Sequence, residues 1–140
     1  MSTALKNTAF PDLGKAQCIA LTTFRRTGQA VTTPVWFAVS FGVIYIETHA
    51  DAGKLKRLRH TTRVTFAPCA YSGKATGSAS EGNARILTEP EERMAAAALA
   101  KKYGIMLGLY HVVSNARRTL QRQARVEPVY MAIEPISGRA

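Results

Sequence analysis

Apolar residues in this chain cluster in short runs divided by turn signals, and the runs predict strands before helices. Residues 18–23, Cys-Ile-Ala-Leu-Thr-Thr, read as a first strand. Arg25-Arg26-Thr27-Gly28-Gln29 follows as a turn, with Gly28 suited to positive φ. A long strand is predicted over 31–39, then a turn at Ser40-Phe41-Gly42 and a strand over 43–48. Three strands joined by short turns make an antiparallel meander. In the long strand Val35, Phe37 and Val39 point one way, and Pro34, Trp36 and Ala38 the other. Both sets are apolar, so both faces must be covered: one by barrel closure, the other by a helix, a ligand or a second subunit.

Helical spacing begins at residue 53. A short helix is predicted over 53–60, with Asp51 as N-cap and Leu55 and Leu58 on its buried side. Strands follow over 63–68 and 78–87, separated by a loop over 69–77. Thr88-Glu89-Pro90-Glu91 fits a capping box, with the proline in the first turn of a helix over 91–103. That helix has Lys101 and Lys102 in its last turn and stops at Gly104. Residues 105–125 read as a second long helix, apolar first and basic later, and 128–135 as a closing strand. Upstream, residues 10–15 suit a short leading helix or an arm. Strands and helices do not alternate regularly, which argues for an α+β or small-barrel domain and against a doubly wound sheet.

At 140 residues the chain has the length of one domain. It carries nineteen Lys and Arg against nine acids, a net charge of +10 that favours an anionic partner. Cys18 and Cys69 do not make a disulfide framework, and His49, His60 and His111 lack ligand spacing, so no structural metal is expected. No signal-peptide core or bilayer-length apolar run stands out, which points to a soluble cytoplasmic protein.

The basic helix, with Lys54, Lys56, Arg57 and Arg59, is either a phosphate site built on Lys54 and the helix N-terminus or a solvated charged face. Proline inside a strand belongs at an edge, a bulge or a ligand approach, so Pro34 and Trp36 could wall a flat ring; otherwise Trp36 is core or dimer interface. Ser72-Gly73-Lys74-Ala75-Thr76-Gly77 departs from the nucleotide-phosphate loop pattern and reads as a hairpin or loop. Arg117, Arg118, Arg122 and Arg125 could meet nucleic acid or an acidic ligand tail, or simply face solvent, and no stacking aromatics are interleaved with them. No catalytic triad stands out, so any enzymatic chemistry is expected to be borne by a cofactor.

Taken in order, Leu21-Thr22-Thr23-Phe24, Gly28, Thr33-Pro34-Val35-Trp36-Phe37, Tyr45-Ile46-Glu47-Thr48, Gly53-Lys54-Leu55-Lys56-Arg57-Leu58, Arg63-Val64, Ala67-Pro68-Cys69, residues 73–77 and Lys102-Tyr103-Gly104 resemble the pyridoxamine-phosphate-oxidase-like split β-barrel superfamily. Within it the chain looks most like the deazaflavin (coenzyme F420)-dependent oxidoreductases. The resemblance implies a mainly β, α+β fold: a six-stranded antiparallel split β-barrel of the FMN-binding type with flanking helices. It implies a barrel domain over 16–136, with a helical insertion at about 89–125, an arm over 1–15 and a tail over 137–140. It also implies a homodimer with two cofactor sites at the subunit interface.

On the same resemblance Thr33, Pro34, Val35, Trp36 and Phe37 line the cofactor ring. Thr48, Lys54 and Arg57 meet its phosphate end, and Gly77 borders the cleft. The Arg-x-x-x-x-Lys pattern by which the pyridoxamine-phosphate oxidases meet FMN is missing from residues 33–38, as is their C-terminal Arg-Leu-x-Pro motif. F420 is therefore the expected cofactor and FMN the alternative. The expected function is hydride transfer between reduced deazaflavin and a small electrophilic substrate, with a proton from solvent, Tyr103 or Tyr110. The alternatives are an FMN-binding oxidoreductase or cofactor carrier of the same fold, and a basic nucleic-acid-binding module.

Overall fold

The computed structural model describes residue 13 and residues 16–49, 52–121 and 128–136. The strands are β1 (Cys18–Phe24), β2 (Ala30–Val35), β3 (Phe37–Ser40), β4 (Val43–His49), β5 (Arg63–Cys69), β6 (Ser80–Ile86) and β7 (Pro128–Pro135). The helices are α1 (Gly53–His60), α2 (Glu91–Tyr103) and α3 (Ile105–Leu120). All seven strands join one antiparallel sheet in the order β2-β1-β5-β6-β7-β4-β3.

The expected six-stranded split β-barrel is mainly β and antiparallel as foreseen, but its ladder is corrected here: it has seven strands and is open. The reason lies at Trp36. The strand expected over 31–39 is divided there. Its first half pairs with β1 as far as Val35 opposite Ile19, and its second half pairs with β4 from Phe37 opposite Ile46. The two edges of the sheet are thus consecutive in the chain, joined by a single residue. The covalent chain, not a ladder, brings the edges together. Leaving one ladder for the other frees a backbone donor, and the Phe37 N–H gives its hydrogen bond to the Tyr103 hydroxyl at 3.0 Å. Pro34 lies on the edge strand β2, where its missing N–H costs no internal ladder bond.

The two apolar faces of the divided strand are covered as its alternation requires. Val35 and Phe37 enter the interior cluster with Ile19, Leu21, Ile44, Ile46, Val64, Phe66, Met131 and Ile133, and Val39 packs against it. Helix α1 adds Leu55 and Leu58 to the same cluster, the pair its three-residue spacing singled out. On the outer face Ala38 and Trp36 pack with Leu99, Tyr103 and Leu107 of α2 and α3. Tyr45 and Ala132 pack there with Leu87 and Ala95. A helical layer is what covers the second face.

Several local expectations change. The capping box at Thr88 does not form: the N–H of Glu92 donates to the Thr88 carbonyl, no side chain caps α2, and Pro90 stands at the cap position. Glu91 instead accepts two hydrogen bonds from the Arg85 guanidinium, both at 2.8 Å. The stop at Gly104 holds, with φ of 56° and Lys101 and Lys102 in the preceding turn. Helix α3 ends at Leu120, with Gln121 as its C-cap in a turn, short of the 105–125 expected. The Asp51 cap, residues 10–12 and 14–15 of the leading segment, Arg122, Arg125 and the tail lie outside the described residues, as does the Arg118 side chain. Among the described residues no helix is long and apolar enough to cross a membrane.

Candidate functional site

Where the strand divides, the outer face opens into a cleft of about 200 Å³. The seam supplies Pro34, Val35 and Trp36, the end of β4 supplies Glu47, Thr48 and His49, the first turn of α1 supplies Lys54, and α3 supplies Leu107 and Tyr110. Residues distant in sequence meet here because β4 runs beside β3 and the two helices close over both.

Trp36 is the wall of this cleft and is held from behind. Its ring stacks on Tyr103 with centroids 4.6 Å apart and planes 16° apart. Tyr110 tilts against it at 5.2 Å, and Tyr71, from the loop after β5, meets it edge-on at 6.4 Å. Tyr103 cannot swing away, since its hydroxyl donates to the Gln17 carbonyl at 2.8 Å while accepting from Phe37. Burial raises the pKa of that phenol, so it stays protonated as a donor. This fixed structural role removes Tyr103 from the candidate proton sources, whereas Tyr110 stands in the cleft lining.

Polar groups occupy the other walls. Lys54 has its pKa lowered, first by burial and then by the charge of Arg57. An ammonium so placed gains from an anion that replaces lost hydration. The Glu47 side chain is only 7 % exposed, and its Oε2 lies 2.6 Å from His111 Nε2 of α3. Its Oε1 is buried without a hydrogen bond of ordinary geometry. Across the ladder stands Tyr130, whose pKa is pushed up to about 12 by burial and then by the Glu47 charge. His49 Nε2 lies 3.4 Å from the Tyr110 hydroxyl.

Of the residues singled out by sequence, the cleft gathers Pro34, Val35, Trp36, Thr48 and Lys54. Thr33, Phe37, Arg57 and Gly77 are not in its lining. Phe37 is fully buried in the interior, one residue and one face away from Trp36. Arg57 turns from the cleft, and its Nε donates to the buried Thr23 hydroxyl at 2.5 Å. Gly77 sits against Pro68, whose Cγ would lie 2.7 Å from an added Cβ. Gly73 of the same loop comes nearer, with Pro34 Cγ 3.9 Å from its ideal Cβ position. The sequence reading missed Glu47, His49, Leu107 and His111. The available signal was Glu47 breaking an apolar run two residues after Tyr45, with His49 two further on the same face.

The cleft can take a flat aromatic ring against Trp36 and an anionic group beside Lys54. The chain belongs to the pyridoxamine 5′-phosphate oxidase family, whose model matches residues 8–131. No curated protein matches the sequence. Among solved structures, a conserved hypothetical protein from Mycobacterium tuberculosis shares 24 % identity, with a TM-score of 0.64 over 98 % of this chain and 82 % of that one. The heme storage protein HutZ from Vibrio cholerae shares 13 %, with a TM-score of 0.63 over 89 % and 85 %. A FAD-binding protein from Mesorhizobium loti shares 13 %, with a TM-score of 0.61 over 98 % and 90 %. At these identities the likeness is one of fold.

Proposed function

We propose that this chain is an F420-dependent oxidoreductase that passes a hydride between the reduced deazaflavin and a small electrophilic organic substrate. The observation that carries the reading is the cleft at Trp36: an aromatic wall, one cation at its rim, and no basic residue on the strand behind it. FMN in the pyridoxamine-phosphate oxidases proper is met by cations on that strand, which residues 33–38 lack. The residues present suit a ring that needs stacking and a phosphate that needs one ammonium.

When bound, the reduced deazaflavin supplies the hydride from its ring carbon. The protein's own contribution is position and electrostatics. Trp36, locked by Tyr103, sets the plane in which a ring can lie. Pro34, without an N–H, leaves an apolar edge beside it. Lys54 and the Thr48 hydroxyl hold the anionic end. Tyr110, next to His49, carries an exchangeable proton into the cleft.

Titration with F420 and, in parallel, FMN, followed by quenching of the single tryptophan, tests the reading. Tight F420 binding with weak FMN binding is expected. Preference for FMN would move the protein to the flavin branch, and binding of neither would overturn the cofactor reading. Lys54→Ala is expected to weaken F420 roughly tenfold, the scale of one hydrogen bond to a charged group. The same substitution should leave a deazaflavin that lacks the phosphate unaffected.

The reading includes a homodimer, and α3 offers a surface for it. Leu107 and His111 face the body of the protein, while Met106, Leu109, Val113 and Leu120 lie outward with 46 %, 58 %, 58 % and 84 % exposure. Their spacing of three, four and seven is that of a helix-pairing stripe. Sedimentation is expected to give twice the 15.2 kDa of the chain, and Leu109→Lys to give the monomer.

A further inference from the structure

The cleft contains a charge that the proposed function leaves unused. Glu47 lies on the outer face of β4, beneath α3, and lines the cleft with Trp36, His49 and Tyr110. Its side chain is 7 % exposed, and its two oxygens differ. Oε2 lies 2.6 Å from Nε2 of His111. Oε1 has no hydrogen bond and is, among the described residues, the one buried side-chain polar atom in that state. Tyr130 feels the Glu47 charge from across the ladder, yet gives Oε1 no bond of ordinary geometry.

Such an atom is costly. A buried acceptor without a donor has lost its hydration and regained nothing, and the loss is larger for a charged group. Packing does not require a charge at this position. Tyr45 and Ala132, on the same outer face, fill their places against α2 with rings and methyls. An ionised carboxylate only accepts, so whatever completes Oε1 brings a donor. A cationic donor gains most, because it makes a charge-assisted bond and also meets the negative faces of aromatic rings. Those rings are at hand: Trp36 and Tyr110 line the same cleft, with centroids 5.2 Å apart. Lys54, on α1, is the opposing charge in the lining, so a simple cation is expected to bind modestly.

We propose that Glu47, with Trp36 and Tyr110 as walls, is the receptor for a cationic nitrogen carried on a flat group, such as an amidinium or a protonated imine. The claim concerns the chain's own carboxylate and needs no cofactor. In the oxidoreductase reading, on which this one extension rests, it narrows the electrophilic substrate to one that carries such a nitrogen.

The test titrates the native chain with benzamidine and benzamide, flat molecules of nearly one shape that differ in charge. Trp36 is the chain's single tryptophan, so its fluorescence reports the cleft. Benzamidine should bind at least about tenfold tighter than benzamide, the scale of a hydrogen bond to a charged group. Glu47→Gln keeps the shape of the side chain and removes its charge. It should abolish the preference and leave benzamide unaffected. Equal affinity for the two ligands, or no binding of benzamidine, would overturn the receptor, and so would a preference that survives Glu47→Gln. The native-chain comparison decides even if the variant does not fold. Preference for benzamidine without binding of F420 would sustain the receptor and remove the cofactor reading. Binding of F420 without that preference would do the reverse.

Discussion

Phe37→Ala is expected to lower the free energy of unfolding by about 3–5 kcal/mol, the range for removing a large buried ring. Phe37 has no exposed surface and sits among the interior side chains at the point where the chain passes from β2 to β3. Alanine there leaves a cavity that the two ladders, pinned on either side, cannot collapse to fill. It also removes the ring beneath the Lys102 ammonium, which lies 3.4 Å from its centroid. Burial pushes that amine down to about 8, so the ring contact softens a desolvation that alanine would leave in place. Against a typical total of about 5–15 kcal/mol the loss is large. Urea unfolding should show a lower midpoint with an unchanged slope. A loss under about 1 kcal/mol would mean that the seam is not part of the core.

Trp36→Ala, one residue earlier, is expected to give the opposite pattern. Trp36 is half-buried, faces outward, and meets Tyr103, Tyr110 and Tyr71 instead of the interior. Its removal opens the cleft and takes away the surface on which a ring would stack. A central aromatic anchor is worth at least about 2 kcal/mol, so ring binding should weaken roughly thirtyfold or more. Stability should fall less than in Phe37→Ala, because the interior cluster is untouched. Calorimetry suits the affinity measurement, since the variant has no tryptophan. Unchanged affinity for both F420 and FMN would remove the ring from this cleft. The two substitutions together separate the inner face of the strand from the outer one.

Much of this was legible in local pattern. Alternation along residues 31–39 showed two apolar faces, and the structure covers both. Leu55 and Leu58 were paired by spacing, and Gly104 marked the end of α2. The Thr88 box misled because its residues had other partners: Glu91 was drawn to Arg85, a residue on the preceding strand. The strand over 31–39 was read as continuous for a similar reason. Nothing in its own residues says that Val35 pairs with Ile19 while Phe37 pairs with Ile46.

The site divides along the same line. Lys54, Pro34 and Trp36 stood out by residue type, Val35 and Thr48 only through the family resemblance, and all five line the cleft. Arg57 was grouped with Lys54 by helical spacing, yet the two part. A hydroxyl on β1 captures Arg57, and that strand's proximity is a long-range fact. Glu47 and His111, 64 residues apart, meet only because α3 folds back over β4. By itself, then, the sequence determined periodicity, turns, charge and the family to which these belong, all properties of neighbours along the chain. Tertiary structure alone decided where the strand divides, which cation faces the cleft and which turns back to β1, and that a carboxylate is buried at the cleft. Each of these depends on what a side chain meets across the sheet, and a one-dimensional pattern does not carry that information.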